Sequence, residues 1–396
     1  MRRRVERISI YRLLKSVVEF AASEERVSPR DPYGETVEEE LALIVRRHLE
    51  RQLAMQNWQS SGSTGAARLL ELIQIRLISE SLYAVTMLGI PDQLAYGPRS
   101  VEELAERSGA HPQALRRVLA SLCEFEVFAA KPGDCFALAP LGEHLRRDAE
   151  LSMRTAAIFF GGAGAASLMG NFLGSVRTGK SATETLFGGW MQWVTSSPDH
   201  QALFNELMTE FSAVHLTGLL AAYNFSGISL AIDVGGGHGK VLAEILASCP
   251  EMRGILFDLP HAEEGGRRTM QKAGISERCQ IISGDFFQTI PAGGDLYILS
   301  RVIHDWDNDH STCILKNVRS GIAARGRLIL LETMLCPGSS AFYPYLSDLN
   351  MLLRTGGCER TEDEYRFLYS AAGFELTRVI PTGSPTGNTI IEGLPV

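Results

Sequence analysis

The sequence lacks the signatures of a metal or disulfide protein. Its seven cysteines, at positions 123, 135, 249, 279, 313, 336 and 358, are scattered, odd in number and form no CxxC pair. That speaks against a disulfide framework or a zinc site and points to a reducing compartment, the cytoplasm. The nine histidines have no HExxH spacing, so no metal is expected. Positive charge is not in excess either. A net charge of −8 argues against general binding to nucleic acid or to an anionic membrane. The start Met1-Arg-Arg-Arg is basic, but Glu6, Arg12 and Lys15 interrupt the apolar stretch that a signal peptide needs. Thr155 to Val176 carries no charge, yet its five glycines, Ser167 and Asn171 leave it too weakly apolar for a membrane span. It reads as a buried helix–turn segment beside a ligand pocket.

What is present is an ordinary globular composition, 45% hydrophobic and 21% charged, over 396 residues, enough for two or three domains. Residues 1–64 form a helical extension, with apolar helical spacing over 8–22 and 36–56 and a Ser/Gly-rich linker at 59–65. Residues 65–150 read as a long helix over 66–88, then a helix opened by a capping box at Ser100 and Glu103. A second helix follows from His111, then a hairpin from Glu126-Val-Phe to Cys135-Phe-Ala-Leu. This is a helix-turn-helix with a wing. Arg116 and Arg117 make a thin footprint for DNA, so packing and dimerisation are the preferred role.

Residues 151–228 are helical and supply a linker and pocket segment. From 229 to 396 strands and helices alternate, with strands expected at 230–234, 254–258, 279–283, 295–299, 326–331, 374–380 and 388–392. The alternation implies an α/β domain whose mostly parallel sheet is covered on both faces. Only Pro381 to Gly387 separates the last two strands, too short for a parallel crossover, so one of them runs antiparallel.

The stretch Leu230-Ala-Ile-Asp-Val-Gly-Gly-Gly-His-Gly239 is a buried strand running into a glycine turn. Gly235 and Gly237 allow a ligand to approach the backbone closely. The turn is not GxGxxG, because Lys240 occupies the sixth position, and no GK[ST] follows, so NAD and nucleoside triphosphates lose ground. Asp258 ends the next strand, where an acid accepts hydrogen bonds from a ribose diol. Asp285 can accept from an adenine amino group while the Phe286 ring covers the base. A nucleoside without a phosphate cradle fits this set, and S-adenosylmethionine (SAM) is one.

These motifs, with Gly284-Asp-Phe-Phe, Leu299-Ser-Arg-Val-Ile-His-Asp-Trp306 and Gly356-Gly-Cys-Glu-Arg-Thr361, resemble the class I SAM-dependent methyltransferases. More narrowly, the chain resembles the small-molecule O-methyltransferases that include plant caffeate and hydroxyindole enzymes and bacterial polyketide-tailoring enzymes. The resemblance covers roughly residues 66–396. It implies a Rossmann-like catalytic domain, a winged-helix dimerisation domain, a homodimer, and S-adenosylhomocysteine (SAH) as product. It places Gly235 against the methionine part of SAM and Ser300 near the cofactor. It assigns His304 as general base, with Glu332 and Glu359 as the carboxylates that orient it. Asp305 reads instead as a cap for the following helix, and Trp306 as an adenine border or core residue.

The same resemblance puts the acceptor pocket beside the helix before the glycine turn. Phe204, Met208 and Phe211 share one helical face there, as pocket lining or as plain core. Asn350 and Arg354, one turn apart, are expected to face the pocket, with Arg354 on a carboxylate or carbonyl of the acceptor. The function so implied is O-methylation of a small phenolic acceptor in natural-product biosynthesis. The alternatives are non-methylating chemistry on the same fold (pericyclic, decarboxylating or hydroxylating) and a DNA-binding regulator.

Overall fold

The computed structural model describes residues 65–216, 218–338, 341–384 and 386–396. The helices expected at 8–22 and 36–56 lie outside them. The chain divides into two units, residues 1–75 and 76–396. Gly65–Gln74 is a helix of the first and Arg76–Met87 a helix of the second. The continuous helix expected over 66–88 is therefore interrupted. At Ile75 the N–H reaches the carbonyl of Leu72 at 3.4 Å, a tighter turn than the α-helix permits.

After Arg76–Met87 the second unit continues into the helix-turn-helix. The Ser100 hydroxyl accepts from the Glu103 N–H to start Val101–Ser108, and Pro112–Cys123 follows. Leu104, Leu115, Leu119 and Leu122 pack with Val85 and Phe128 into a local core. The wing is a three-stranded antiparallel sheet: β1 (Arg99–Ser100), β2 (Phe128–Lys131) and β3 (Cys135–Leu138), in the order β1-β3-β2. β2 starts two residues later than the sequence pattern suggests, because Glu126 takes φ 57° as the chain leaves the helix. β1 is too short to show any alternation. Arg116 Nε donates to both carboxylate oxygens of Asp134 in the wing, at 2.7 and 2.9 Å, which thins the basic footprint further.

The C-terminal sheet has seven strands. They are β4 (Leu230–Val234), β5 (Arg253–Asp258), β6 (Cys279–Ser283), β7 (Leu296–Ser300), β8 (Arg327–Thr333), β9 (Phe374–Pro381) and β10 (Asn388–Pro395). The order is β6-β5-β4-β7-β8-β10-β9, and β10 alone runs antiparallel, against both β8 and β9. Apolar clusters fill both faces: Val234, Leu299 and Leu330 on one side, Leu242, Ile298 and Ile329 on the other. The five adjacent parallel strands β4 to β8, of six in all, thus deliver their loops to one edge, and the chain reverses its strand order at β4, where such sheets bind ligands.

The helical segment between the wing and β4 makes a separate aromatic core. Phe159, Trp193, Leu207 and Leu353 are buried in it, with Phe160, Trp190 and Phe204 packed alongside. The uncharged stretch 155–176 breaks into the helices Arg154–Gly161, Ala163–Gly170 and Phe172–Thr178. No helix of the described residues is long and apolar enough to cross a membrane. The segment is not buried throughout: such short helices turn only one face to the aromatic core, and Met169, Leu173 and Val176 are exposed.

Helix Arg154–Gly161 has no side-chain cap of its own. Instead Glu210, from helix Pro198–His215, accepts from the N–H groups of Thr155 and Ala156 at 2.9 and 3.0 Å. A carboxylate there answers both the unpaired donors and the positive end of the helix dipole. Replacing Glu210 with Ala should lower unfolding stability by about 1–3 kcal/mol in denaturant titration. An unchanged midpoint would show that solvent caps this helix equally well.

Candidate active site

The glycine turn after β4 adopts left-handed φ values at Gly235 (68°), Gly237 (57°) and Gly239 (74°). A Cβ on Gly235 would lie 2.9 Å from Val302 Cγ2 and 3.4 Å from Phe286 Cε1, so three loops converge here. Gly237 has open space beside it. Its N–H donates to Asp258 Oδ2 at 2.7 Å, which pins the turn to the tip of β5. Asp258 Oδ1 takes the Leu259 N–H at 2.6 Å. An ionised carboxylate has about four lone-pair sites, so acceptor capacity for a diol remains.

Asp285 accepts from the Phe287 N–H at 2.9 Å and from Gln288 Nε2 at 3.2 Å, shaping the turn that carries Phe286. Phe286 and Phe287 stand edge-on to Trp306, with ring centroids 6.1 and 4.7 Å away. Ser300 is the half-buried last residue of β7 and does not line the cavity described below. A bare glycine backbone, carboxylates at successive strand tips and an aromatic wall suit an adenosyl group carrying no phosphates. The residues present therefore fit SAM.

The next two strand tips build a buried acid–base cluster. His304 lies in the short turn Ile303–Asp305 after β7, 2% exposed, with Glu332 and Glu359 at 0% and 2%. β8 extends two residues past its expected end, so Glu332 sits within the strand rather than after it. Glu332 Oε1 accepts from the N–H groups of Val302 and Ile303, at 3.2 and 2.9 Å, fixing the loop that carries His304. His304 Nδ1 is 3.0 Å from Glu359 Oε1 and 3.5 Å from Glu332 Oε2. The ionised Glu359 can only accept, so Nδ1 carries a proton, and when the ring is neutral its lone pair lies on Nε2. Ser347 Oγ donates to the same Glu359 oxygen at 2.6 Å.

Burial disfavours the imidazolium, but the charges of Glu359 and then Glu332 outweigh it and raise the His304 pKa to about 9. Burial pushes Glu359 upward, yet His304 beside it, by charge and hydrogen bond, holds it below the ordinary carboxylate value.

Two further residues hold this loop. Gly357 lies so close to it that a Cβ would stand 2.0 Å from the His304 carbonyl oxygen. Arg360 is 1% exposed. It donates to the carbonyls of Ile303 (3.1 Å) and Trp306 (2.7 Å) and to Asn308 Oδ1 (3.1 Å). Glu359 and Arg360 thus grip the loop at its ring and at its backbone.

Beside His304 lies a cavity of about 90 Å³. Phe204, Met208, Phe211, Asn350 and Arg354 all line it, so the structure brings these five sequence-marked residues together with His304. Arg301, from the motif at 299–306, lines it as well, and so do Phe159, Phe160, Trp190 and Tyr343, which nothing in their local pattern marks. Ser347 was findable, since Ser347, Asn350 and Arg354 fall at i, i+3 and i+7 of helix Tyr343–Arg354. Asp305 is not a helix cap. Asp307 caps Asn308–Gly321 by accepting from the His310 N–H at 2.9 Å, while Asp305 lines the cavity, 3.8 Å from His304 Nε2. The cap falls two residues later because the short helical turn at 303–305 has first to close.

Residues 174–375 match the family described as the O-methyltransferase domain, and residues 70–148 its dimerisation domain. A phenazine O-methyltransferase of Lysobacter antibioticus is 38% identical, over 83% of this chain and 96% of its own. An 8-amino-8-demethylriboflavin N,N-dimethyltransferase of Streptomyces davaonensis is 31% identical, over 81% of this chain and 93% of its own. The crystal structure of human N-acetylserotonin methyltransferase in complex with SAM superposes with a TM-score of 0.75. It is 25% identical and covers 85% of this chain and 99% of that one.

The clamp at the His304 loop is testable. Replacing Arg360 with Met removes the donors from buried carbonyls and should cost about 3 kcal/mol of stability or more. A loss under about 1 kcal/mol in denaturant unfolding would show that the loop holds its shape without the guanidinium.

Proposed function

On the premise that this chain belongs to the O-methyltransferase family, whose members use SAM and act on aromatic natural products, we propose that it methylates a phenolic hydroxyl with His304 as general base. The observation that carries this reading is the buried His304–Glu359 pair facing an aromatic-lined cavity. Family membership alone does not fix the acceptor atom, since one of the relatives is an N,N-dimethyltransferase. The base favours oxygen. An aromatic amine presents a free lone pair at neutral pH, whereas a phenol, with a pKa of about 10, is almost wholly protonated. A buried base is useful to the phenol and superfluous to the amine.

When bound, SAM supplies an electrophilic methyl on a cationic sulfur, which the acceptor oxygen attacks to release SAH. Gly235 and Gly237 would lie against the cofactor, Asp258 would take the ribose hydroxyls, and Asp285, Phe286 and Ser300 would border the adenosyl and methionyl ends. The aromatic residues hold the acceptor ring and keep water out. His304 Nε2 takes the hydroxyl proton as the methyl is transferred, and Glu359 stabilises the imidazolium that results. Arg301, facing the same cavity, disfavours that positive charge and so limits how far the two glutamates raise the basicity of the ring. We read the working unit as a homodimer in the cytoplasm. The dimerisation-domain match supports the first, and seven unpaired cysteines support the second.

Incubation with SAM and a panel of phenols should yield SAH and methyl ethers. His304→Gln, which can still donate to Glu359, should lower kcat by about 10²–10⁴-fold while SAH still binds. Undiminished turnover would remove His304 from the base role.

The pH profile gives an independent check. Only neutral His304 accepts a proton, and its pKa is raised to about 9. With a phenol that stays protonated throughout, kcat/KM should climb up to about tenfold per pH unit from pH 7 and level off near 9. A flat profile across that range would contradict a histidine base held by two glutamates.

A further inference from the structure

Arg354 does not belong to the chemistry just described, and its surroundings are unusual for a charged group. It is 3% exposed, at the end of helix Tyr343–Arg354, with its backbone carbonyl held by the Thr183 hydroxyl. Its guanidinium carbon lies 4.8 Å from the ring centre of Phe160, 5.2 Å from Phe159 and 5.5 Å from Trp193. Nε donates to Asn350 Oδ1 at 3.3 Å. Nη1 and Nη2 are buried and have no hydrogen-bond partner. No carboxylate of the described residues forms an ion pair with it. Burial lowers its pKa to about 10, which still leaves it cationic at neutral pH.

The second arginine of the cavity shows the contrast. Arg301 Nη1 donates to His215 Nε2 at 3.0 Å, and His215 Nδ1 in turn donates to the Phe211 carbonyl at 2.6 Å. Burial, and then the charge of Arg301, depress His215 to about 3, so that ring is a neutral acceptor. Arg301 therefore has a partner within the protein. Arg354 lines the cavity that also contains His304, with both terminal guanidinium nitrogens buried and without a partner. A buried guanidinium left in this state is costly unless an anion completes it. Two in-plane donors between aromatic faces match a planar, singly charged, two-oxygen acceptor.

We propose that the methyl acceptor is an aromatic hydroxy acid whose carboxylate is bound by Arg354 Nη1 and Nη2. This deepens the proposed function and rests on it, because the cavity is taken as the acceptor site. The ring stacks among Phe159, Phe160 and Trp190, the carboxylate completes the guanidinium, and the hydroxyl faces His304. Neutral phenols of the same shape leave the two donors unpaired.

The test is binding rather than turnover. Hydroxybenzoates, hydroxynaphthoates and hydroxyphenazine carboxylates, each beside its methyl ester, are titrated calorimetrically into the full-length protein saturated with SAH at pH 7.5. At least one acid should bind the wild type about thirtyfold or more tighter than its ester. Arg354→Gln should erase that ratio, and Arg354→Lys should retain part of it, with SAH affinity as the check on folding. If no acid outbinds its ester more than about twofold, or if the preference survives Arg354→Gln, the carboxylate subsite is wrong. The two readings fail separately. Acids that bind through Arg354 but are never methylated would sink the proposed function alone. Neutral phenols methylated with no advantage to the acids would sink the subsite alone.

Discussion

A carboxylate removed from water must find donors, and that requirement organises the centre of this molecule. Glu332 and Glu359 are both buried, and each is answered from the same short loop. Glu332 takes two backbone N–H groups of the turn before His304, and Glu359 takes the ring itself. The imidazole becomes more basic because it is the nearest cation the two acids can have. The loop becomes rigid because its own donors are what neutralise them. Basicity and geometry at His304 therefore have one source, and a change to either glutamate disturbs both.

The sheet makes this meeting possible. β4, β7 and β8 are neighbours and parallel, so the glycine turn, the His304 loop and Glu332 emerge side by side although a hundred residues separate the first from the last. Glu359 arrives by another route. An isolated bridge between Met334 and Arg360 carries its segment past the end of β8, and the missing side chain of Gly357 lets that segment lie against His304. Arg360, next in sequence to the orienting acid, then ties the loop's carbonyls down. Two adjacent residues fix opposite ends of one turn.

The cavity joins two parts of the chain that differ in character. The α/β domain supplies the base and its acids, set by strand geometry. The helical segment before β4 supplies the aromatic wall, set by packing around Phe159, Trp193 and Leu207. Helix Tyr343–Arg354 links them, with Ser347 at the base and Arg354 among the rings. The electrostatics follow the same division. Glu332 and Glu359 lie behind His304, while Arg301, Arg354 and Asp305 line the cavity, so an acceptor meets side chains of both signs beside the base.

Much of this was legible in the residue order. The alternation of apolar runs and helical stretches set out a parallel sheet, and seven residues between the last two strands required one reversal, which β10 makes. The glycine turn, Asp258, Asp285-Phe286 and the His-Asp-Trp motif stood out because strand ends and turns carry local signals in short windows. The aromatic wall did not. Phe159, Phe160 and Trp190 look like ordinary core residues, since lining a cavity is a relation among helices distant in sequence. Asp305 looks like a cap in the residue order, but the cap position depends on a helical turn with no pattern of its own and falls at Asp307. The bare guanidinium of Arg354 was equally invisible. Sequence shows that an arginine is present, but whether its donors meet a carboxylate or empty space is decided only when three aromatic rings close around it. By itself, then, the sequence determined the elements, their order and the residues able to carry charge. The tertiary structure decided which charges were buried together and which was left unpaired, because desolvation and pairing act between groups that only folding makes neighbours.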